Sequence, residues 1–148
     1  MSGTFVAQAS PVLRKGSSGA SVKTLQQKLN ALGGYGLAVD GQFGDKTDTA
    51  VRVYQAGAGI GVDGVVGDKT WNKLDANVKP AVLRQGASGA AVKYMQQRLI
   101  AKGFACGSAG ADGSFGTGTL QAVKAFQKAK NLALDGICGS KTWMALVT

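Results

Sequence analysis

The chain has no histidine and no glutamate, so its eight carboxylate side chains are all aspartates. Without histidine the usual zinc-hydrolase ligand sets cannot be assembled. Serine–histidine–aspartate and cysteine–histidine nucleophile arrangements are excluded as well. A general acid/base pair of aspartates remains and has to be weighed separately. Arginine is restricted to Arg14, Arg52, Arg84 and Arg98. Base reading and bidentate phosphate recognition lean on arginine, so specific nucleic-acid recognition is disfavoured. No apolar run approaches the ~20 residues that a membrane span needs. The opening MSGTFVAQAS lacks the basic and apolar stretches of a signal peptide. Two expectations stay open: a chain made without such a signal, or a trimmed piece of a longer protein.

What is present is a moderately apolar, strongly basic chain. Hydrophobic residues make up 45% of its 148 residues, so a buried core is expected. The net charge of +9 favours anionic partners such as nucleic acid, anionic lipid or wall polymers, and selects none of them. The basic residues are scattered and form no stripe on one helix face.

The sequence repeats itself. VLRKGSSGASVKTLQQKL (12–29) aligns with VLRQGASGAAVKYMQQRL (82–99) at a shift of about 70 residues. After a small insertion near Phe104–Gly110, Asp40-Gly41 meets Asp112-Gly113, Tyr54-Gln55 meets Phe126-Gln127, and Lys69-Thr70-Trp71 meets Lys141-Thr142-Trp143. The expected organisation is an N-terminal tail (1–11), a first module (12–74), a Pro80-bearing linker (75–81) and a second module (82–148).

Each module reads as three helices, giving an all-α chain. Val22, Leu25, Leu29 and Leu32 lay one apolar stripe on a helix from about Ala20 to Leu32, capped by Ser18 or Gly19 and stopped by Gly33. A second helix follows Gly44 and a third spans Asp68 to about Leu74. Their counterparts are Ala90–Lys102, Thr117–Lys130 and Ser140–Val147. Trp71 and Trp143 sit at helical spacing from Leu74 and Leu146 and are expected in the core. Gly57, Gly59 and Gly61 should end the second helix of the first module near Ala56, a turn earlier than in the second module.

An Asp-Gly-x-x-Gly-x-x-Thr string occurs four times, beginning at Asp40, Asp63, Asp112 and Asp135. Each pair precedes a helix start. Glycine supplies the positive φ of a tight turn, and the carboxylate can accept the N–H groups of that turn. The threonine falls in the first helical turn, where its hydroxyl can satisfy a free backbone donor. Four equivalent turn residues do not resemble an acid/base pair, which needs two carboxylates facing one cleft. One glutamine of each pair, Gln26-Gln27 and Gln96-Gln97, is expected to face inward and hold a loop.

LRKGSSGASVKTLQQKLNALG, VDGQFGDKTDTAVRVYQ and VDGVVGDKTWNKL, with their second-copy equivalents, resemble the type 1 peptidoglycan-binding module over nearly all of Leu13–Leu146. The resemblance implies two tandem three-helix bundles that bind cell-wall peptidoglycan without catalysis and without a cofactor. Such modules ride on amidases, carboxypeptidases, muramidases or transpeptidases, so a cell-wall hydrolase is an implied partner. The implied location is the cell wall, extracellular or periplasmic. Ligand contacts to the glycan strand and stem peptide are then expected from Gln42, Tyr54, Gln55 and Asp63, and from Ser114, Phe126, Gln127 and Asp135. Against each stands a bland reading: Tyr54 and Phe126 as core, Gln55 and Gln127 as partners of backbone groups. A linker this short would make a second binding event intramolecular.

Cys106 and Cys138 both lie in the second module. A disulfide would tie the longer loop to the entrance of the last helix; the alternative is two buried thiols. They form no metal site. Other functions compatible with the residues are a basic helical nucleic-acid-binding protein, a hydrolase using paired aspartates, and a docking element of a wall-spanning or phage-like assembly.

Overall fold

The computed structural model describes residues 11–148, so the expectations placed on 1–10 lie outside the described residues. Six helices follow in order: α1 Ala20–Gly33, α2 Asp45–Gly57, α3 Asp68–Asp75, α4 Ala90–Ala101, α5 Thr117–Ala129 and α6 Ser140–Val147. None is long and apolar enough to cross a membrane. The expected stripe is the buried face of α1: Val22, Leu25 and Leu29 have no exposed surface. Gly33 is the last residue of α1, and the left-handed cap is Gly34, whose N–H donates to Asn30 O. Gly19 holds the N-cap position with no side-chain hydrogen bond.

The helices of each module close on themselves through short backbone pairings. Leu13 and Val66 exchange hydrogen bonds of 3.1 and 2.8 Å; Leu83 and Cys138 do the same at 3.1 and 2.7 Å. A second pairing joins Ser18 to Gln42, and Ser88 to Ser114. Each tryptophan pins the segment that leads into its module: Trp71 Nε1 donates to Pro11 O at 2.8 Å and Trp143 Nε1 to Ala81 O at 3.3 Å. Both rings are buried, as their spacing indicated.

The expected shortening of the second helix does not occur. α2 and α5 both contain 13 residues. Gly57 completes α2 because Pro80 rests on it: a Cβ there would lie 2.5 Å from Pro80 Cβ. The connector is held on α2 by Ala81 N–H, which donates to Gly57 O at 2.8 Å, and by Val78 O, which accepts from Tyr54 Oη at 2.6 Å.

There are two cores, and α2 serves both. Its inner face, with Ala50, Val51 and Tyr54, joins Leu25, Leu29, Trp71 and Leu74 in the first. Its outer face gives Val53 and Ala56 to the second core, among Met95, Leu99, Phe126, Trp143 and Leu146. α2 thereby packs on α4 and α6. The repeat explains why the two modules meet through unlike faces. Val53, Ala56 and Gly57 correspond to Ala125, Lys128 and Ala129, which are exposed. Ala87, Ala91, Tyr94, Ala145 and Val147 pack against the second core; their first-module counterparts are Ser17, Ser21, Thr24, Lys73 and Asp75. The interface uses different faces of the two copies: the first-module counterpart of the α4/α6 face is polar, and the α5 counterpart of the α2 face is exposed.

Candidate functional site

Each Asp-Gly string is gripped by one buried glutamine from the helix before it. In the first module Gln55 Nε2 donates to Asp63 Oδ1 (2.9 Å), Val65 O (3.0 Å) and Thr70 Oγ1 (3.1 Å). Its Oε1 accepts the N–H groups of Asp63 and Gly64. Gln127 repeats the pattern with Asp135, Ile137 O, Thr142 and Gly136 N–H. Gln26 does so with Asp40, Gln42 O, Thr47 and Gly41 N–H. Gln96 completes the set with Asp112, Ser114 O, Thr119 and Gly113 N–H. Two amide hydrogens are shared among three acceptors in every clasp. The inward glutamines are thus Gln26 and Gln96, while Gln27 and Gln97 are exposed.

The clasps assign the motif residues. The aspartate Oδ1 also accepts the N–H two residues on, at 2.9 Å in all four loops. Gly41, Gly64, Gly113 and Gly136 have φ of 74°, 73°, 82° and 69°. Gly44, Gly67, Gly116 and Gly139 are the helix N-caps, in extended conformation. The threonines differ from expectation: their hydroxyls accept from the glutamine amide and leave the helix N-terminal donors free. In three of the loops these hydrogen bonds favour the ionised aspartate. The backbone N–H of Gln42, Ser114 and Ile137, followed by the clasping amides, holds Asp40, Asp112 and Asp135 below the ordinary carboxylate pKa.

Beside the loops open shallow grooves. One, of about 290 Å³, is lined by Gln55, Ile60, Gly61, Asp63, Asp68 and Lys69 among others. Its repeat, of about 240 Å³, is lined by Leu132, Ala133, Asp135, Ser140, Lys141 and neighbours. A third, of about 250 Å³, follows the α2 start, with Asp40, Gln42, Asp45 and Lys46. Each combines an apolar wall, a lysine, one or two aspartates and a helix N-terminus without a side-chain cap, a setting that suits amide and hydroxyl groups with a charged group at the lysine.

The residues named from sequence are divided by this geometry. Gln42, Asp63, Ser114 and Asp135 are exposed. Gln55 and Gln127 are buried with their amides committed to the loops, and of the two only Gln55 lines its groove. Tyr54 and Phe126 have no exposed surface and belong to the cores, so the ligand contact expected of them gives way to packing. Phe126 meets Phe104 edge to face at 5.5 Å. Missing from the sequence reading were Lys69 and Lys141, the groove cations; the repeated Lys-Thr-Trp was their signal. The possible disulfide is absent: Cys106 and Cys138 are free, buried thiols. Cys138 takes the place of Val66 beneath Leu83, whereas Cys106 lies against Gln96 O and Phe104 O. Burial pushes both thiol pKa values up. Among the described residues no cluster of histidine, cysteine or acidic side chains could hold a metal.

Comparison with known proteins fits this duplicated architecture. An N-acetylmuramoyl-L-alanine amidase, CwlL of Bacillus licheniformis, is 54% identical over 65 residues, covering 44% of this chain and 18% of the amidase. A zinc D-Ala-D-Ala carboxypeptidase of Streptomyces albus G is 43% identical over 115 residues, covering 78% of this chain and 40% of the enzyme. The chain thus spans less than half the length of either. The crystal structure of the SleB N-terminal domain aligns with a TM-score of 0.42 and 44% identity, over 45% of this chain and 88% of that one. The model of the putative peptidoglycan binding domain matches residues 18–74 and again 88–146. The chain belongs to that peptidoglycan-binding domain family and carries its domain twice in tandem.

Proposed function

We propose that the chain is a non-catalytic, bivalent binder of peptidoglycan, with equivalent grooves beside the third helix of each module. The observation that carries this reading is the pair of matching grooves beside the Gln55 and Gln127 clasps, each offering a lysine and an uncapped helix start. Gln42, Asp63, Ser114 and Asp135, with Lys69 and Lys141, supply the exposed polar contacts. Glycan amides and hydroxyls suit the loop edges; stem-peptide carboxylates suit the lysines.

A binding role rather than hydrolysis is supported by the state of the aspartates. Asp40, Asp63, Asp112 and Asp135 are each tied to their own turn, and the depressed pKa values at three of them disfavour proton donation near neutrality. The named relatives are cell-wall enzymes of which this chain resembles a part, and a wall-located role beside such an enzyme follows from the same reading. Secretion, and an endolysin-like context, belong to the proposal as well.

The test is co-sedimentation with purified sacculi near ~0.15 M salt, run in parallel on sacculi stripped of stem peptides. The chain pellets with intact sacculi and releases neither reducing ends nor amines. Retention in the supernatant, or bond cleavage, overturns the proposal. Recovery on stripped sacculi separates sugar from peptide recognition.

A further inference from the structure

Folding gathers cations that are scattered along the sequence. The C-terminal ends of α4 and α5 meet where Phe104 rests edge to face on Phe126, with ring centroids 5.5 Å apart. Lys102 is the C-cap of α4 and Lys130 that of α5. Arg98, one turn before Lys102, donates from Nε to Leu146 O at 2.9 Å, which brings the end of α6 to the same place. Lys128, in the last turn of α5, is exposed, and so is Lys130. Lys102 titrates below the ordinary lysine range, first through partial burial and then because Arg98 and Lys130 repel its charge.

Missing countercharge sets this end apart from the rest of the molecule. Residues 12–75 carry eight lysines and arginines against six aspartates, whereas residues 82–148 carry eight against two. The three ion pairs among the described residues, Lys15–Asp45, Lys28–Asp75 and Arg52–Asp48, all use aspartates of the first copy. The same pairs of positions in the second copy hold Gln85 with Thr117, Arg98 with Val147, and Lys124 with Leu120. Its two aspartates, Asp112 and Asp135, are committed to their clasps. Lys102, Lys128 and Lys130 stand where the first copy has Leu32, Ala56 and Ala58. Each helix C-terminus contributes only about half a negative charge, less than the cations gathered there. The result is a positive surface that the first copy does not repeat.

We propose that this end of the second module, at Arg98, Lys102, Lys128 and Lys130, docks a phosphodiester-linked polyanion of the cell wall. None of the four lines a groove described above. Lysine ammonium groups are flexible point charges, suited to a chain of repeated phosphates that offers no rigid shape. Nucleic acid fits less well. No aromatic is found among the exposed large hydrophobics of the described residues, so bases have nothing to stack on, and the one arginine is held by Leu146 O. A lipid surface fits less well too, because Ile100 is the one exposed large apolar side chain on α4 and α5 has none. The choice of a wall polymer rests on the peptidoglycan reading above; the positive surface does not.

The test titrates the full chain, isotopically labelled, with soluble poly(glycerol phosphate). The polymer shifts the signals of Lys102, Lys128 and Lys130, and affinity falls about 20-fold or more between ~0.05 and ~0.2 M salt. Lys128→Glu with Lys130→Glu weakens binding at least about tenfold. Lys23→Glu with Lys79→Glu makes the same change in net charge elsewhere on the surface and weakens it less than about threefold. Preserved spectral dispersion shows that both variants fold. No polymer binding at ~0.1 M salt, equal losses in the two variants, or tighter binding to single-stranded DNA of equal charge or to phosphatidylglycerol vesicles overturns the proposal. A second arm compares sacculi that carry such a polymer with the same sacculi after hydrofluoric acid has removed it. The Lys128/Lys130 variant matches the wild type on stripped sacculi and falls behind on untreated ones; equal retention on both overturns the proposal. If stripped sacculi retain the chain but the soluble polymer does not bind, the peptidoglycan reading stands and this surface falls. If the polymer binds here but stripped sacculi retain nothing, the surface stands and the peptidoglycan reading falls.

Discussion

Pro80 lies on the Cα of Gly57, close enough that any side chain at 57 would have to displace the connector. In an isolated helix Gly57→Ala would stabilise by about 1 kcal/mol. Here the sign reverses: the variant loses about 1–3 kcal/mol through overpacking. Chemical denaturation of the two proteins reads the difference, and a more stable variant would show that the connector is not seated on α2.

Ala56 makes the same point through the repeat, because Lys128 is its exposed counterpart. Ala56→Lys places a charge in the module interface and costs about 2 kcal/mol or more. Small-angle scattering should show a larger radius of gyration with helix content unchanged. An unaltered scattering curve would mean that the modules do not depend on this contact.

The buried glutamines are predicted to dominate loop stability. Gln55→Leu leaves the N–H groups of Asp63 and Gly64 without their acceptor and removes the donor to Thr70, costing about 3 kcal/mol or more. Gln27→Leu, on the exposed face of α1, changes stability by under about 0.5 kcal/mol. Comparable losses at both positions in thermal melts would refute the clasp.

Acid should unfold the loops through their aspartates. The folded pKa values of Asp40, Asp112 and Asp135 lie below the unfolded value of about 3.9. Their contribution is therefore complete above that value and is lost as pH falls through the folded pKa values. Melting temperature should hold from pH 7 to about 5 and decline below about 4. Asp40→Asn keeps the accepting oxygen without the charge and should shallow that decline; an unchanged pH profile would contradict the assignment.

The thiols of Cys106 and Cys138 should resist a thiol reagent in the native protein and react in ~6 M guanidinium, both counted as free. Cys138→Val, which copies Val66, should cost less than about 1.5 kcal/mol. A crosslinked species on non-reducing analysis would contradict the buried free pair.

Much of this was legible in the residues. The 3-and-4 spacing of Val22, Leu25 and Leu29 fixed the buried face of α1, and the Asp-Gly strings marked four helix starts. That one glutamine of each pair faces inward was expected; which one is decided by the burial of Gln26 and Gln96. What stayed hidden were contacts between segments distant in sequence. Gly57 reads locally as a helix breaker, and only Pro80 reveals it as a close approach. Tyr54 beside Gln55 reads equally as ligand contact or core; its burial and its hydrogen bond to Val78 O decide. Divergence between copies at Ala56 and Lys128, or Tyr94 and Thr24, was the available signal for the docking interface.

The most direct measurement is a sacculus-binding isotherm for the intact chain beside variants that fill one groove each. Gly61 and Ala133 line the equivalent grooves, and a side chain at Gly61 would meet open space. Gly61→Trp and Ala133→Trp should each weaken apparent affinity by about 10²-fold or more, and the double variant should stay in solution, as expected when two linked sites act together. Wild-type affinity in the double variant would contradict bivalent binding through these grooves.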